Sequence, residues 1–245
     1  MSSGNLRGVT FDWWGTLYRH RDTSPARVGL IRQAAVGIGR EVSEEAVAAA
    51  YSDAAAAFDR EWRAGRVYTT AAWLDGILAD LGLGLPVADR AALLAALEEA
   101  MLGQPPAMVA GARDLLHELH AAGVRLGLIS DTGLTVGRVM RKILAADDVL
   151  HCFQGLAFSD EVGTVKPARR PYEAALSAMG VAPDQAIHVG DLPFTDICGA
   201  KAMGMRAVLI TGVSGLRDDG LADAVVEDYA GLRRLFGKWS LLTSN

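Results

Sequence analysis

The sequence predicts an α/β fold: a three-layer, Rossmann-like core with a parallel sheet, carrying an inserted α-helical domain. Three observations lead there. From residue 111 to residue 211, short apolar runs of strand type alternate with helical patterns, the mark of parallel βαβ units. Residues 25–104 show helical periodicity with no strand among them. A lone strand pattern at residues 6–12 comes before both and has no partner nearby in the chain. That strand is therefore expected to join the later sheet. The core is then residues 1–18 plus 107–245, and the inserted helical domain is residues 19–106.

Each element follows from local chemistry. Val9, Thr10 and Phe11 suit a buried strand that ends on the carboxylate of Asp12. Thr23-Ser24-Pro25 reads as a helix start with proline in the first turn. Ser43 is placed to cap a helix running to about Ala64, where Gly65 breaks it. Thr69 or Thr70 opens the next helix, which ends near Gly82, and an Ala/Leu-rich helix follows from Val87 to Leu102. Gln104-Pro105-Pro106 is a hinge into the second pattern. There the spacing predicts helices over 111–122, 135–146, 171–179 and 196–203, with strands over 124–131, 155–159, 186–191 and 206–211. The tail from Trp239 to Asn245 reads as loosely held.

Composition narrows the function. A net charge of −5 with interspersed signs and no Lys/Arg block excludes an electrostatic footprint for nucleic acid. No apolar run is long enough to span a bilayer, and no signal peptide is visible, so a cytoplasmic protein is expected, as a monomer or homodimer. Cys152 and Cys198 form no CxxC pair and neither has a nearby histidine at metal spacing, so both are expected to be buried small hydrophobes.

The chemistry gathers at strand ends. Asp12 closes the first strand, Ser130 and Asp131 the second, and Asp191 a later one, with Asp196 five residues on. Lys166, one of only four lysines, precedes a helix between them. In a parallel sheet these ends share one edge. Clustered carboxylates repel unless a cation sits among them, and hard oxygen ligands favour Mg²⁺. A lysine and a hydroxyl nearby complement a phosphate, and Gly15 lets backbone amides approach an anion. Together these point to phosphoryl transfer onto a carboxylate.

The segments FDWWGTL (11–17), LISDTG (128–133), VKP (165–167) and HVGDLPFTD (188–196), followed by GAKAMGM, resemble the four ordered motifs of the haloacid dehalogenase superfamily. The inserted helices are similar to that family's helical cap. The resemblance implies a hydrolase with Asp12 as nucleophile and metal ligand, and with Trp14 lending the metal its backbone carbonyl. Ser130, Asp131 and Gly15 would hold the phosphate. Lys166 would neutralise it and orient Asp12, and Asp191 and Asp196 would hold Mg²⁺. The implied partner is a small, anionic, phosphorylated metabolite.

Two positions depart from the family's phosphatases. An Asp that protonates the leaving oxygen is expected at residue 14, which is Trp14, and Asp131 stands where Asn is commoner. Three readings follow. The first is a phosphatase whose leaving group needs no proton, or whose acid comes from His20 or Glu61. The second is a 2-haloacid dehalogenase-like hydrolase using Asp12. The third is a degenerate, ligand-binding member. The retained Asp191/Asp196 pair favours the first over the second. A phosphonate-cleaving route through a cap lysine is closed, because residues 19–106 contain no lysine. Arg60, Arg63 and Arg66 would suit an anionic substrate or simply a solvated helix face, and Trp13 and Trp14 either an apolar wall or packing.

Overall fold

A computed structural model describes residues 6–216 and 220–242. The first strand, β1 (Gly8–Phe11), is buried along its whole length, as a central strand covered on both faces must be. It pairs in parallel with β2 (Arg125–Ser130) on one side and with β4 (Ala186–Gly190) on the other, Thr10 lying opposite Gly127 and His188. With β3 (Phe153–Phe158), β5 (Arg206–Ile210) and β6 (Ala224–Val226), the six-stranded sheet has the order β3-β2-β1-β4-β5-β6, every pair parallel. Strand order reverses between β1 and β4. Their C-terminal ends therefore flank the crevice where such sheets bind ligands.

The chain divides into an α/β unit (Met1–His20, Pro106–Asp131 and Leu144–Asn245) and a helical unit (Arg21–Pro105 and Thr132–Ile143). In the α/β unit, α5 (Ala112–Ala121), α7 (Ser159–Val162), α8 (Arg169–Met179), α9 (Cys198–Ala202) and α10 (Tyr229–Lys238) surround the sheet. Tyr172, Ala175, Leu176 and Met179 of α8 pack with Ala200 of α9 and Ile129, Ala157 and Leu209 of the sheet. Right-handed crossovers put α5, whose connection runs the other way along the sheet, on the opposite face.

The helical unit contains α1 (Ser24–Gly37), α2 (Glu44–Arg63), α3 (Thr70–Asp80) and α4 (Val87–Gly103). Ser43 and Thr69 cap α2 and α3, their hydroxyls accepting from Ala46 N and Ala72 N at 3.1 Å each. Ile31, Leu74, Ile77 and Leu97 are fully buried in its core. The guanidinium of Arg27, also buried, donates to Leu97 O at 3.0 Å, Thr135 Oγ1 at 3.0 Å and Tyr51 Oη at 3.4 Å.

Three features depart from the sequence expectation. Residues 132–143, expected in the core by continuity with β2, group with the helices: Leu134 enters their core, and Arg138 pairs with Glu98 and Glu99. The α6 helix (Gly137–Ala146) thus contributes to both units. Next, β6 and α10 were not foreseen: the three half-exposed residues of β6 carry no readable period, whereas α10 does show Tyr229, Leu232 and Phe236 at helical spacing behind an Asp228 cap. Finally, Trp239–Leu242 is docked rather than loose. Leu241 and Leu242 are buried, and the Arg206 guanidinium lies 5.0 Å over the Trp239 ring. Residues 243–245 of that tail lie outside the described residues. No described helix is long and apolar enough to cross a membrane.

Candidate active site

Asp12 follows the last residue of β1, and its amide donates to Val189 O at 2.9 Å, tying the end of β1 to β4. The chain then turns tightly. Leu17 N and Tyr18 N both donate to Trp13 O, at 3.0 and 2.9 Å, and Gly15 N donates to Tyr18 O at 2.8 Å. These bonds do not use the Trp14 carbonyl. Gly15 has a φ of 73°, and a Cβ there would lie 2.1 Å from Asp191 Oδ2. Only glycine lets this turn and that carboxylate come so close. Trp13 is fully buried and stacks on Tyr18 with ring centroids 4.2 Å apart, so it packs the turn rather than lining a wall.

Asp12, Asp191 and Asp196, all buried, each bring a carboxylate oxygen within 4.8 Å of the others. The Lys166 ammonium, buried among them, donates to Asp12 Oδ1 at 2.5 Å, Asp196 Oδ1 at 2.6 Å and Ile129 O at 3.3 Å. Asp196 sits in a π-helical turn, Pro193–Ile197, ahead of α9. Its Oδ2 accepts from Leu192 N at 2.9 Å, which holds the turn in place. Ser130 is buried at the end of β2, its hydroxyl 3.4 Å from Asp131 O. Asp131 follows directly on β2. Its Oδ1 accepts from Lys166 N at 2.9 Å and so fixes the segment that carries the lysine.

The electrostatics are those of crowded anions. Burial, together with Asp196 and Asp191, holds the Asp12 carboxyl well above the usual range in spite of Lys166. Burial and then Asp196 push Asp191 up to about 7. Asp196 goes the other way: burial opposes its ionisation, but Lys166 and His188 outweigh that and hold it below the usual range. Lys166 stays charged because Asp12, Asp196 and Asp131 overcome its own burial.

His188 joins this network without having been singled out as a site residue. It is fully buried on β4, beside Thr10 of β1. Its Nδ1 is 2.8 Å from Thr10 Oγ1, and its Nε2 is 3.3 Å from Asp196 Oδ1. Burial keeps this imidazole below its usual pKa, toward the neutral form. Nε2–H then donates to the carboxylate, and Nδ1 is left to accept from the Thr10 hydroxyl, which also lies 3.3 Å from Ile187 O. The signal available in the sequence was a pair of polar residues inside two otherwise apolar strands.

A divalent cation fits these residues. With all three carboxylates ionised, the one ammonium would leave an excess of two negative charges, which is why Asp12 and Asp191 hold their protons so tightly in the absence of a cation. Asp191 Oδ1 is buried with no hydrogen-bond partner among the described residues. The donor set is all hard oxygen, which suits Mg²⁺.

The two acid candidates, Glu61 and His20, have partners within their own units. Glu61 is engaged by Arg66 in an exposed ion pair, at 2.5 and 3.1 Å, which lowers its pKa, and Arg63 pairs with Asp59 at 2.8 Å. His20 stacks on the partly buried Trp14, ring centroids 5.5 Å apart and nearly parallel.

Fold and site together define a doubly wound α/β protein with a lysine-braced acidic cluster at its topological switch point. The chain belongs to the haloacid dehalogenase-like hydrolases, whose family profile matches residues 6–204. It is 35% identical over 126 residues to a glyceraldehyde 3-phosphate phosphatase of Methanothermobacter thermautotrophicus, covering 49% of this chain and 54% of that one. It is 37% identical over 108 residues to a phosphoserine phosphatase of Thermus thermophilus, covering 44% and 41%. The chain thus spans about half the length of these relatives, or less. Its fold matches a HAD phosphatase from Thermococcus onnurineus (TM-score 0.68, 21% identity, 95% of this chain and 98% of that one). It equally matches a 2-haloacid dehalogenase from Pseudomonas syringae pv. Tomato (TM-score 0.70, 22% identity, 96% and 99%).

Proposed function

We propose that the chain is a Mg²⁺-dependent phosphatase acting on a small phosphorylated metabolite through an aspartyl-phosphate on Asp12. The observation that carries this reading is Asp12 held by Lys166 within 4.8 Å of Asp191 and Asp196 at the β1/β4 crevice. Asp12, Asp191, Asp196 and the Trp14 carbonyl would hold the ion. Bound there, Mg²⁺ neutralises the acids and polarises the phosphoryl group.

The Asp12 carboxylate attacks phosphorus, forming an O–P bond while the ester or anhydride O–P bond breaks and its electrons leave with the product oxygen. Lys166 holds Asp12 in place, and with Ser130 and the Asp131 amide it takes up charge on the phosphoryl oxygens, while Gly15, its own amide engaged by Tyr18 O, shapes the turn that lets the phosphate approach. Water then cleaves the aspartyl-phosphate, releasing phosphate and restoring Asp12. Residues 21–105 are assigned the part of the substrate-selecting cap.

The leaving group sets the substrate class. Residue 14 is an indole, a donor with no proton to give at neutral pH. Among the family's phosphate substrates, acyl and enol phosphates, whose leaving oxygens need no proton, fit this site best. The Asp191/Asp196 pair and its excess negative charge favour this reading over metal-free dehalogenation.

The test is phosphate release from acetyl phosphate, an aryl phosphate and an alkyl phosphate, with Mg²⁺ and with EDTA. Acetyl phosphate should be the best substrate, and EDTA or Asp12→Asn should lower its turnover at least about 10³-fold. Trp14→Asp should raise alkyl phosphate hydrolysis by roughly 10²-fold or more. Release of halide from a 2-haloacid in EDTA would point to the dehalogenase reading. No turnover of any phosphate would point to a binding protein.

A further inference from the structure

A second group of side chains of metal-ligand type lies at the start of β3, whereas the acids lie at the ends of β1 and β4. Cys152 and His151 belong to the 3-10 turn Leu150–Cys152, which leads directly into β3, and His117 is on α5. One donor atom from each of the three lies within 4.8 Å of the others. Cys152 Sγ and His151 Nε2 are 3.6 Å apart. That is the edge of a zinc tetrahedron: bond lengths of about 2.3 Å to sulfur and about 2.05 Å to nitrogen place the two ligands about 3.6 Å apart.

The surrounding groups are those that orient such ligands. His117 Nε2 lies 2.8 Å from Asp148 O, an atom that only accepts. The proton is therefore on Nε2, which leaves Nδ1 with the lone pair. Metal-binding imidazoles are commonly oriented by a backbone carbonyl in this way. The same residue's carboxylate oxygen, Asp148 Oδ1, lies 3.7 Å from His151 Nδ1, on the side of that ring away from the thiol. Asp148 faces both rings because it adopts a left-handed conformation, with φ at 56°. The His120 ring lies edge-on to His151 at 5.5 Å and offers a further nitrogen. His151 is half-exposed, so an ion has a way in, whereas Cys152 is buried.

We propose that His117, His151 and Cys152 form a site for a zinc-class transition-metal ion, completed by His120 or water. A mixed nitrogen and sulfur set selects such an ion over Mg²⁺. On binding, Cys152 gives up its thiol proton to solvent and a metal–thiolate bond forms. The ion clamps α5 to the turn entering β3.

Cobalt reports on this directly, because a thiolate ligand adds a charge-transfer absorption that oxygen ligands do not. Titrating the reduced, full-length protein with Co²⁺ in excess Mg²⁺ should develop that absorption at one equivalent, and Zn²⁺ should displace it. Cys152→Ser should abolish it. His151→Ala, which changes an exposed side chain, should weaken Co²⁺ and Zn²⁺ binding at least tenfold; Asp12→Asn should change neither. Circular dichroism of the metal-free variants checks that they fold, and His151→Ala carries the test if Cys152→Ser does not. Absence of the charge-transfer band in the wild type would overturn the proposal. So would Zn²⁺ affinity that His151→Ala leaves unchanged.

Discussion

Charged side chains are used in opposite ways in the two units. In the α/β unit, Asp12, Lys166, Asp191 and Asp196 are buried and share one network, so each sets the ionisation of the others. In the helical unit, Arg63–Asp59, Arg66–Glu61 and Arg90–Asp75 are separate pairs with much of their side-chain surface in water. The lesson is that charge density alone does not mark a site. Burial and an uncompensated sign do. The helical unit is rich in arginine, yet two of the three arginines that could have faced an anion are answered by acids of their own segment.

The largest effect should come from breaking the buried network. Lys166→Met removes the ammonium that Asp12 and Asp196 share. An unpaired buried charge costs about 3–5 kcal/mol. Denaturant unfolding in EDTA should show a loss of that order, and Mg²⁺ should restore part of it by supplying positive charge to the same oxygens. A loss below about 1 kcal/mol would mean that water already screens the cluster.

The same crowding makes a pH prediction with a definite sign. Asp191 has an ordinary pKa of 3.8 and is raised to about 7 in the fold. The folded state therefore holds its proton more tightly than the unfolded state does. This contribution to stability is complete below pH 4 and is lost as pH climbs through about 7. Asp12, also raised, acts in the same direction, whereas the lowered Asp196 adds stability above pH 4 that is lost in acid. Thermal unfolding in EDTA should show a melting temperature that falls from pH 5.5 to pH 8, and saturating Mg²⁺ should remove the fall. A metal-free melting temperature flat across that range would contradict the crowding.

Much of this site was legible because each acid closes a strand or starts the turn after it, so a one-dimensional pattern predicts a shared edge. Asp12 and Asp191 are found that way, and Gly15 identifies the turn between them. His188 was not, because it lies inside β4, where a strand's period gives its face but not its neighbour. Only the register with β1 shows that it meets Thr10. His117, His151 and Cys152 come from a helix and a turn separated by β2 and α6, so no local spacing signals them. Residues 132–143 were assigned by chain continuity, whereas packing of Leu134 and the ion pairs of Arg138 decide their grouping.

A smaller effect is expected one step out from the acids. His188→Phe keeps the ring's bulk but removes one bond from Asp196 Oδ1 and leaves the Thr10 hydroxyl only its 3.3 Å bond to Ile187 O. Losing a partner in a buried place costs about 1–3 kcal/mol. Because the ring orients a metal-facing carboxylate, Mg²⁺ affinity should also fall roughly 10–100-fold. A role confined to packing would lower stability and leave Mg²⁺ affinity alone, so the two measurements separate the cases.

The smallest effect is expected at Glu61, and it tests whether the helical unit supplies the acid missing at residue 14. A general acid must hold a proton at working pH, which calls for a raised pKa. Glu61 keeps only about a third of its side-chain surface in water, accepts two hydrogen bonds from Arg66, and has its pKa lowered by that guanidinium. It is ionised and already committed. Glu61→Gln should therefore leave kcat/KM for acetyl phosphate and for an alkyl phosphate within about twofold of the wild type, since exposed pairs contribute little. A tenfold fall confined to the alkyl phosphate, with acetyl phosphate unaffected, would instead identify Glu61 as the proton donor. The contrast between buried and solvated charge would then fail at one of the helical unit's own ion pairs.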